Sequence, residues 1–251
     1  MPASSRKRNK GKDRKAKQLV KKEENERATE REFWWAFCNI STGCNHGHEI
    51  VISNDHPVMS FMDQFFVNLD KRKMKTDDNL MLTFKTHTHI WTNERHRKLA
   101  ISILLRIGSN LMIRFGTDVD VSWPVCLAQS IVLLEHYNGN DIDSVFNSRV
   151  VASTNRDLDP GVSSTRRDTL KFFRKRTSCK CLKKMHLEAR KTMPKMGLCW
   201  YCKGEKERIH LSVCSSCMIN QYCSRQCQVA DWPRHERSCK EYARIHKQQS
   251  E

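Results

Sequence analysis

The sequence has no apolar stretch at its amino terminus, no run long enough to span a bilayer, and too few acidic residues to balance its bases. Charge begins at Arg6, which argues against a secretory signal peptide. The longest uncharged apolar stretch, residues 121–134, contains Pro124 and falls short of the roughly 20 residues a membrane helix needs. No internal repeat is visible. G-x-S-x-G, G-x-x-x-x-G-K, H-E-x-x-H and G-x-G-x-x-G are also missing, which removes the commonest sequence signs of hydrolytic, nucleotide-dependent and dinucleotide-dependent catalysis. A soluble intracellular protein of one or two domains is the expectation for these 251 residues. In a reducing compartment, its twelve cysteines are metal ligands or buried thiols rather than disulfides.

What is present is positive charge in two places. Lys and Arg number 45 against 28 Asp and Glu, a formal charge of +17. Residues 1–31 hold 12 basic and 5 acidic residues, and residues 166–195 hold 12 and 2, so these two segments carry the whole excess. Such tracts attract polyanions or are read as nuclear import signals, unless they are only solvated surface. Neither is interleaved with the aromatics that stack on bases, Phe172 and Phe173 excepted, so any nucleic-acid contact is expected to be non-specific.

The composition divides the chain into a basic tail (1–31), a core-forming region (32–160), a basic helical linker (161–196), a cysteine-rich segment (197–241) and a short tail (242–251). The first tail has almost nothing to bury and reads as disordered in isolation, or as a solvated helix that forms on a partner. The core-forming region reads as mainly helical with some strand. Ser60 is placed to cap a helix carrying Phe61, Met62, Phe65, Phe66 and Leu69 at 3–4 spacing. Residues 79–91 alternate Leu80, Leu82 and Phe84 and read as a strand. Residues 98–115 read as a buried helix, and Ser122-Trp123-Pro124 opens another that runs to Tyr137. Residues 138–162 read as loop, and 165–176 as a basic helix.

Chemistry concentrates near the carboxyl end. Cys199, Cys202, Cys214, Cys217, Cys223, Cys227, His235 and Cys239 supply eight donors within 41 residues. Structural zinc takes four Cys or His donors and leaves no open position, so eight donors fill two sites. The two C-x-x-C pairs form knuckles. Cys223 with Cys227, and His235 with Cys239, are spaced i,i+4 and share a face if those segments are helical. A segment this short cannot build a sufficient core alone, so zinc would supply its folding free energy.

The order C-x2-C-x11-C-x2-C-x5-C-x3-C-x7-H-x3-C, with Tyr222-Cys223-Ser224 and the Asp231-Trp232 pair, closely resembles the MYND zinc-finger family. The resemblance implies a small, cross-braced α+β finger with two zinc ions. It pairs Cys199, Cys202, Cys223 and Cys227 on one ion, and Cys214, Cys217, His235 and Cys239 on the other. It also implies binding of a proline-containing peptide, with Ser215, Gln228 and Trp232 lining the groove. Trp232 has an alternative reading, as packing between the two zinc sites.

Weaker signals stay open. Cys38, Cys44, His46 and His48 are close enough to hold a third zinc, or are surface histidines beside buried thiols. Cys179, Cys181 and His186 are further candidate ligands, or parts of a basic helix. His87 and His89 share a face of the expected strand without a third donor, and Cys126 reads as a small core residue. The expectation is therefore a non-enzymatic interaction protein. A nucleic-acid-binding regulator is the alternative. A SET-type lysine methyltransferase, a group whose members carry the related finger, is disfavoured because the chain contains no Asn-His-Ser-Cys and no Gly-Glu-Glu.

Overall fold

The computed structural model describes residues 4–39, 50, 52–53, 55–70, 77–115, 121–137, 139, 142–159 and 161–248. The described residues form a helical body followed by a small strand-containing finger. The body comprises α1 (Ser4–Asn39), α2 (Pro57–Asp70), α3 (Asp77–Thr86), α4 (Thr88–Trp91), α5 (Glu94–Phe115), α6 (Ser122–His136), α7 (Ile142–Phe146), α8 (Arg149–Asp157), α9 (Thr165–Arg176) and α10 (Lys180–Thr192). No helix among the described residues is long and apolar enough to cross a membrane.

The centre of the body is the packing of α5 against α6. Ala100, Ile103, Leu104, Ile107 and Leu111 of α5 are buried with Leu127, Ala128, Ile131 and Leu134 of α6. The near-continuous apolar surface of both segments requires neighbours on several sides, and α1, α2, α8 and α9 supply them. Phe173 of α9 lies against Gly108, where a Cβ would stand 2.2 Å from the ring. Only glycine lets the two helices approach this closely. Trp34 of α1 stacks on Phe66 of α2 at 5.0 Å and meets the edge of Trp123 at 5.1 Å. Arg31 donates to Asp63 at 2.8 Å, and Arg106 donates to the Cys38 carbonyl.

Residues 4–31, expected to be disordered or helical on a partner, continue the helix that Trp34 and Cys38 anchor in the core. The tract is rich in Lys, Arg, Glu and Ala, all good helix formers, and extending an existing helix needs no new nucleus. Its described side chains from Lys15 to Val20 are exposed.

Three other expectations are corrected. Residues 79–91 are helical, not a strand. The buried positions are Thr83, Phe84, His87, Ile90 and Trp91, which follow the helical period, whereas Leu82 of the apparent alternation is 60% exposed. Residues 138–162 are not simply loop, because they contain α7 and α8, and Ser148 caps α8 by accepting from the Val151 amide. Segment 161–196 does not stand apart as a linker: Leu170, Phe172 and Phe173 of α9 and Leu182 and Ala189 of α10 belong to the main core. The helix starts also shift. His56 Nδ1, not Ser60, accepts from the Val58 amide at 3.2 Å, and Val121 rather than Ser122 occupies the N-cap of α6.

The finger begins with β1 (Met196–Leu198), paired antiparallel with β2 (Glu205–Glu207). A single 3₁₀ turn, Arg208–His210, leads to β3 (Ser212–Val213), which pairs antiparallel with β4 (Gln221–Tyr222). The chain closes with α11 (Arg225–Gln248). The expected tail from residue 242 is the continuation of this helix, with Ile245 buried and Tyr242 packed against the finger core.

The finger is seated on the body by hydrogen bonds and ion pairs. Arg208 is the hub. Its guanidinium stands 3.2 Å from Asp157 and 3.5 Å from Asp168, and its Nε donates to the Met196 carbonyl at 3.2 Å. Arg156 donates to the Ile219 carbonyl at 3.0 Å. Glu205 accepts from the Ser163 amide at 2.7 Å, and the Met196 amide donates to Ser164 Oγ at 3.0 Å.

Candidate metal centres and the groove beside them

Two local devices bring the donors together. Each C-x-x-C pair closes a tight knuckle in which the next amide returns to the first cysteine: Lys203 donates to the Cys199 carbonyl at 3.0 Å, and Met218 to the Cys214 carbonyl at 2.8 Å. Lys203 and Met218 both carry positive φ, 55° and 58°, the left-handed conformation that reverses the chain after each knuckle. The second device is α11. Ser224 Oγ caps it by accepting from the Cys227 amide at 3.2 Å, and the helix then carries His235 and Cys239 one turn apart on its buried side. Cys223 precedes α11, so it and Cys227 meet across the helix start rather than on a helix face.

The eight donors fall into two groups, Cys199, Cys202, Cys223 and Cys227 in one, and Cys214, Cys217, His235 and Cys239 in the other. Within each group all donor atoms lie within 4.8 Å of one another. The groups interleave along the chain. Tetrahedral zinc with Zn–S near 2.3 Å and Zn–N near 2.0–2.1 Å requires S···S distances of about 3.8 Å and S···N distances of about 3.6 Å. The structure has Cys202 to Cys223 at 3.8 Å, Cys223 to Cys227 at 3.5 Å, Cys214 to Cys239 at 3.7 Å, and Cys217 Sγ to His235 Nε2 at 3.6 Å. The residues fit zinc in donor type, number and spacing. None of these cysteines is in a disulfide.

The thiol electrostatics point the same way. Burial raises Cys199, but the amides of Cys223, Cys202 and Tyr201 outweigh it and bring the thiol down to about 6. Cys214 is likewise lowered: burial opposes the shift, and the amides of Cys217 and Ser216 overcome it. Burial pushes Cys217 up to about 11, and hydrogen bonds that the Cys223 thiol donates to the neighbouring sulfurs push it up to about 12. Each group thus holds one thiol shifted toward the thiolate, Cys199 or Cys214, and one shifted away from it, Cys223 or Cys217. A dication held among them would favour the thiolate form. Burial lowers His235, keeping the imidazole neutral and available as a ligand.

Residues behind the donors complete the arrangement, and sequence reasoning did not find them. The Asn220 side-chain amide stands 2.9 Å from His235 Nδ1. The atom facing the ring is Asn220 Nδ2; with Nε2 on a metal, Nδ1 would carry the proton, and Asn220 would then accept it through its side-chain oxygen once the amide is turned end for end, which would fix the ring. Tyr222 donates to the buried carboxylate of Asp231 at 2.9 Å, tying β4 to α11, and Arg234 donates to the same carboxylate at 3.0 Å. Gln221 donates to the Leu198 carbonyl at 3.1 Å across Gly197, where a Cβ would stand 2.7 Å from the Gln221 amide nitrogen. Asn, Tyr and Asp at these positions carry no spacing signal of their own, so only the Tyr222-Cys223 and Asp231-Trp232 pairs hinted at them.

A groove of about 600 Å³ runs beside α11, lined by Ser212, Ser224, Arg225, Gln228, Val229, Trp232 and Pro233. Two of the three expected peptide contacts, Gln228 and Trp232, line it. Ser215, on the second knuckle, is exposed but is not among the lining residues, and Ser212 of β3 takes a place there. Trp232 is 40% exposed, and its ring lies 6.1 Å from that of His235. It therefore flanks one donor group and presents a face to solvent. Among the described residues β3 pairs only with β4, in a two-stranded sheet.

Among the described residues, the remaining candidates form no donor group. Cys44, His46 and His48 lie outside the described residues, and Cys38 is a buried thiol that burial raises to about 11. Cys179 Sγ caps α10 by accepting from the Leu182 amide at 3.3 Å, and among the described residues it forms no donor group with Cys181 and His186. His87 Nδ1 lies 2.9 Å from the Thr83 carbonyl, and His87 and His89 gather no third ligand. Cys126 is buried in α6.

Comparison with known families agrees with the geometry. The family described as the MYND finger matches residues 199–239, from the first donor to the last. No solved structure matches the chain. The MYND finger is a zinc-binding protein–protein interaction module.

Asn220→Ala removes the group that orients His235 without touching a ligand. It should weaken zinc at the Cys214 group by about 10–100-fold and leave the Cys199 group unchanged. Competition against a chromogenic chelator resolves the two sites. Equal affinities in variant and parent would show that Asn220 does not support the ligand.

Proposed function

We propose that this protein is a non-enzymatic adaptor whose finger holds two zinc ions and captures a proline-containing peptide in the groove of Gln228 and Trp232. The observation that carries the reading is the pairing of an exposed indole with an open strand edge, beside two donor groups that fit zinc. A peptide adding to the free edge of β3 would satisfy its backbone hydrogen bonds there, while Trp232 offers a flat apolar face to proline rings at little entropic cost. Gln228 can both donate to and accept from the peptide backbone. The metal ions keep strand edge and indole in register and take no part in peptide chemistry.

The basic segments suit localisation. Arg6, Lys7, Arg8, Lys10, Lys12, Arg14, Lys15 and Lys17 form a tract dense enough to be read as a nuclear import signal. A reporter fused to residues 1–31 should accumulate in the nucleus. An even distribution between compartments would remove this part of the proposal.

For the groove, Trp232→Ala should abolish capture of proline-containing peptides from a synthetic array while both zinc ions stay bound. Loss of zinc together with binding would make Trp232 a packing residue between the donor groups. Unchanged capture would move the binding site elsewhere on the finger.

A further inference from the structure

Where the finger meets the body there is a pocket of about 210 Å³ that peptide capture does not use. It is lined by Lys171, Lys175 and Arg176 of α9, by Lys195 and Arg208 from the finger side, and by Asp157 and Asp168. Five cations face two carboxylates. Arg208 pairs with both carboxylates, at 3.2 and 3.5 Å, Arg156 pairs with Asp157 as well at 2.9 Å, and Arg176 is held by Glu135 through two hydrogen bonds of 2.8 Å. The side chains of Lys171, Lys175 and Lys195 have no ion-pair or hydrogen-bond partner among the described residues; Asp168 offsets part of the charge on Lys171, and positive charge converges here in excess.

That convergence has an energetic cost in the free protein. Burial lowers Lys171, and repulsion from Lys195 and Lys175 lowers it further. Burial also raises Asp168, against the pull of Arg208, Lys195 and Arg167. A small dense anion placed among the three ammoniums would reverse these penalties and gain charge-assisted hydrogen bonds.

We infer that the seam between α9 and the finger is a binding site for a phosphate monoester, held by Lys171, Lys175 and Lys195. Size separates the phosphate sources. A pocket of about 210 Å³ has room for a single phosphate group. It suits a phosphorylated side chain, which brings almost two charges on one group. A nucleic-acid backbone spreads one charge per phosphate along an extended track and calls for a groove. Lys171 belongs to the body and Lys195 to the segment entering β1, so a bound phosphate bridges them. Occupancy would reinforce the Arg208 contacts that seat the finger.

The test uses the full, zinc-loaded chain and inorganic phosphate, followed by calorimetric titration against chloride at matched ionic strength. Phosphate should bind with a stoichiometry of one. The double variant Lys171→Gln, Lys195→Gln should weaken it by at least about tenfold, the loss expected for charged hydrogen bonds. Lys183→Gln, Lys184→Gln makes the same charge change at exposed positions on α10 and should leave binding intact. A phosphoserine peptide should compete with phosphate, and its serine counterpart should not. Equal loss in the two double variants would reduce the effect to general electrostatics and overturn the site. So would a chloride response equal to that of phosphate, or competition by a single-stranded oligonucleotide but not by the phosphopeptide.

Discussion

Metal coordination is the constraint on which the finger depends. Residues 199–239 bury few large side chains of their own; Tyr222, Leu211 and Ile219 are almost all the apolar material not already part of a donor. Such a segment does not reach the buried area that stabilises a domain unaided. Two tetrahedral zinc sites would supply the missing free energy, about 10–16 kcal/mol per site in small zinc fingers. Because the donor groups interleave, each ion would tie an early knuckle to a later part of the chain. The first links Cys199 and Cys202 to the start of α11, and the second links Cys214 and Cys217 to its middle. Losing either ion would release both ends of the finger.

The helical body shows the opposite economy. Its core is made of large apolar side chains on α2, α5 and α6, closed by α9 where Gly108 admits Phe173. Between the two regimes stands a polar seam. Arg208 and Arg156 fasten the finger to α8 and α9 through partly buried contacts, and Glu205 adds an exposed hydrogen bond from the Ser163 amide. The groove of Gln228 and Trp232 is thus presented on a seated finger rather than on a swinging one, which preserves orientation for a bound partner.

The donor groups were legible in the sequence because eight Cys and His residues at this spacing have few other meanings, and the structure brings together all eight residues. The strong helices were legible for a related reason: Phe61, Phe65 and Leu69, or Ile103, Ile107 and Leu111, repeat at a period only a helix satisfies. Residues 79–91 misled because Leu80, Leu82 and Phe84 alternate, while the burial of His87 and Trp91 that reveals the helix depends on tertiary packing. The seam could not be read at all. Arg208, Asp157 and Asp168 are common surface residue types, and only folding places a guanidinium between two carboxylates 40 or more positions away in one case and 51 in the other. The support of His235 by Asn220 was hidden for the same reason.

The central claim is that two interleaved zinc sites hold the finger and, through it, the groove. The most direct measurement is native mass spectrometry of the full chain during stepwise chelation, with hydrogen exchange at Tyr222 and along α11 followed in parallel. The account predicts two zinc ions per chain, with protection of β4 and of the first turns of α11 collapsing as they leave. A chain that carries one ion or none while β4 and α11 stay protected would contradict it.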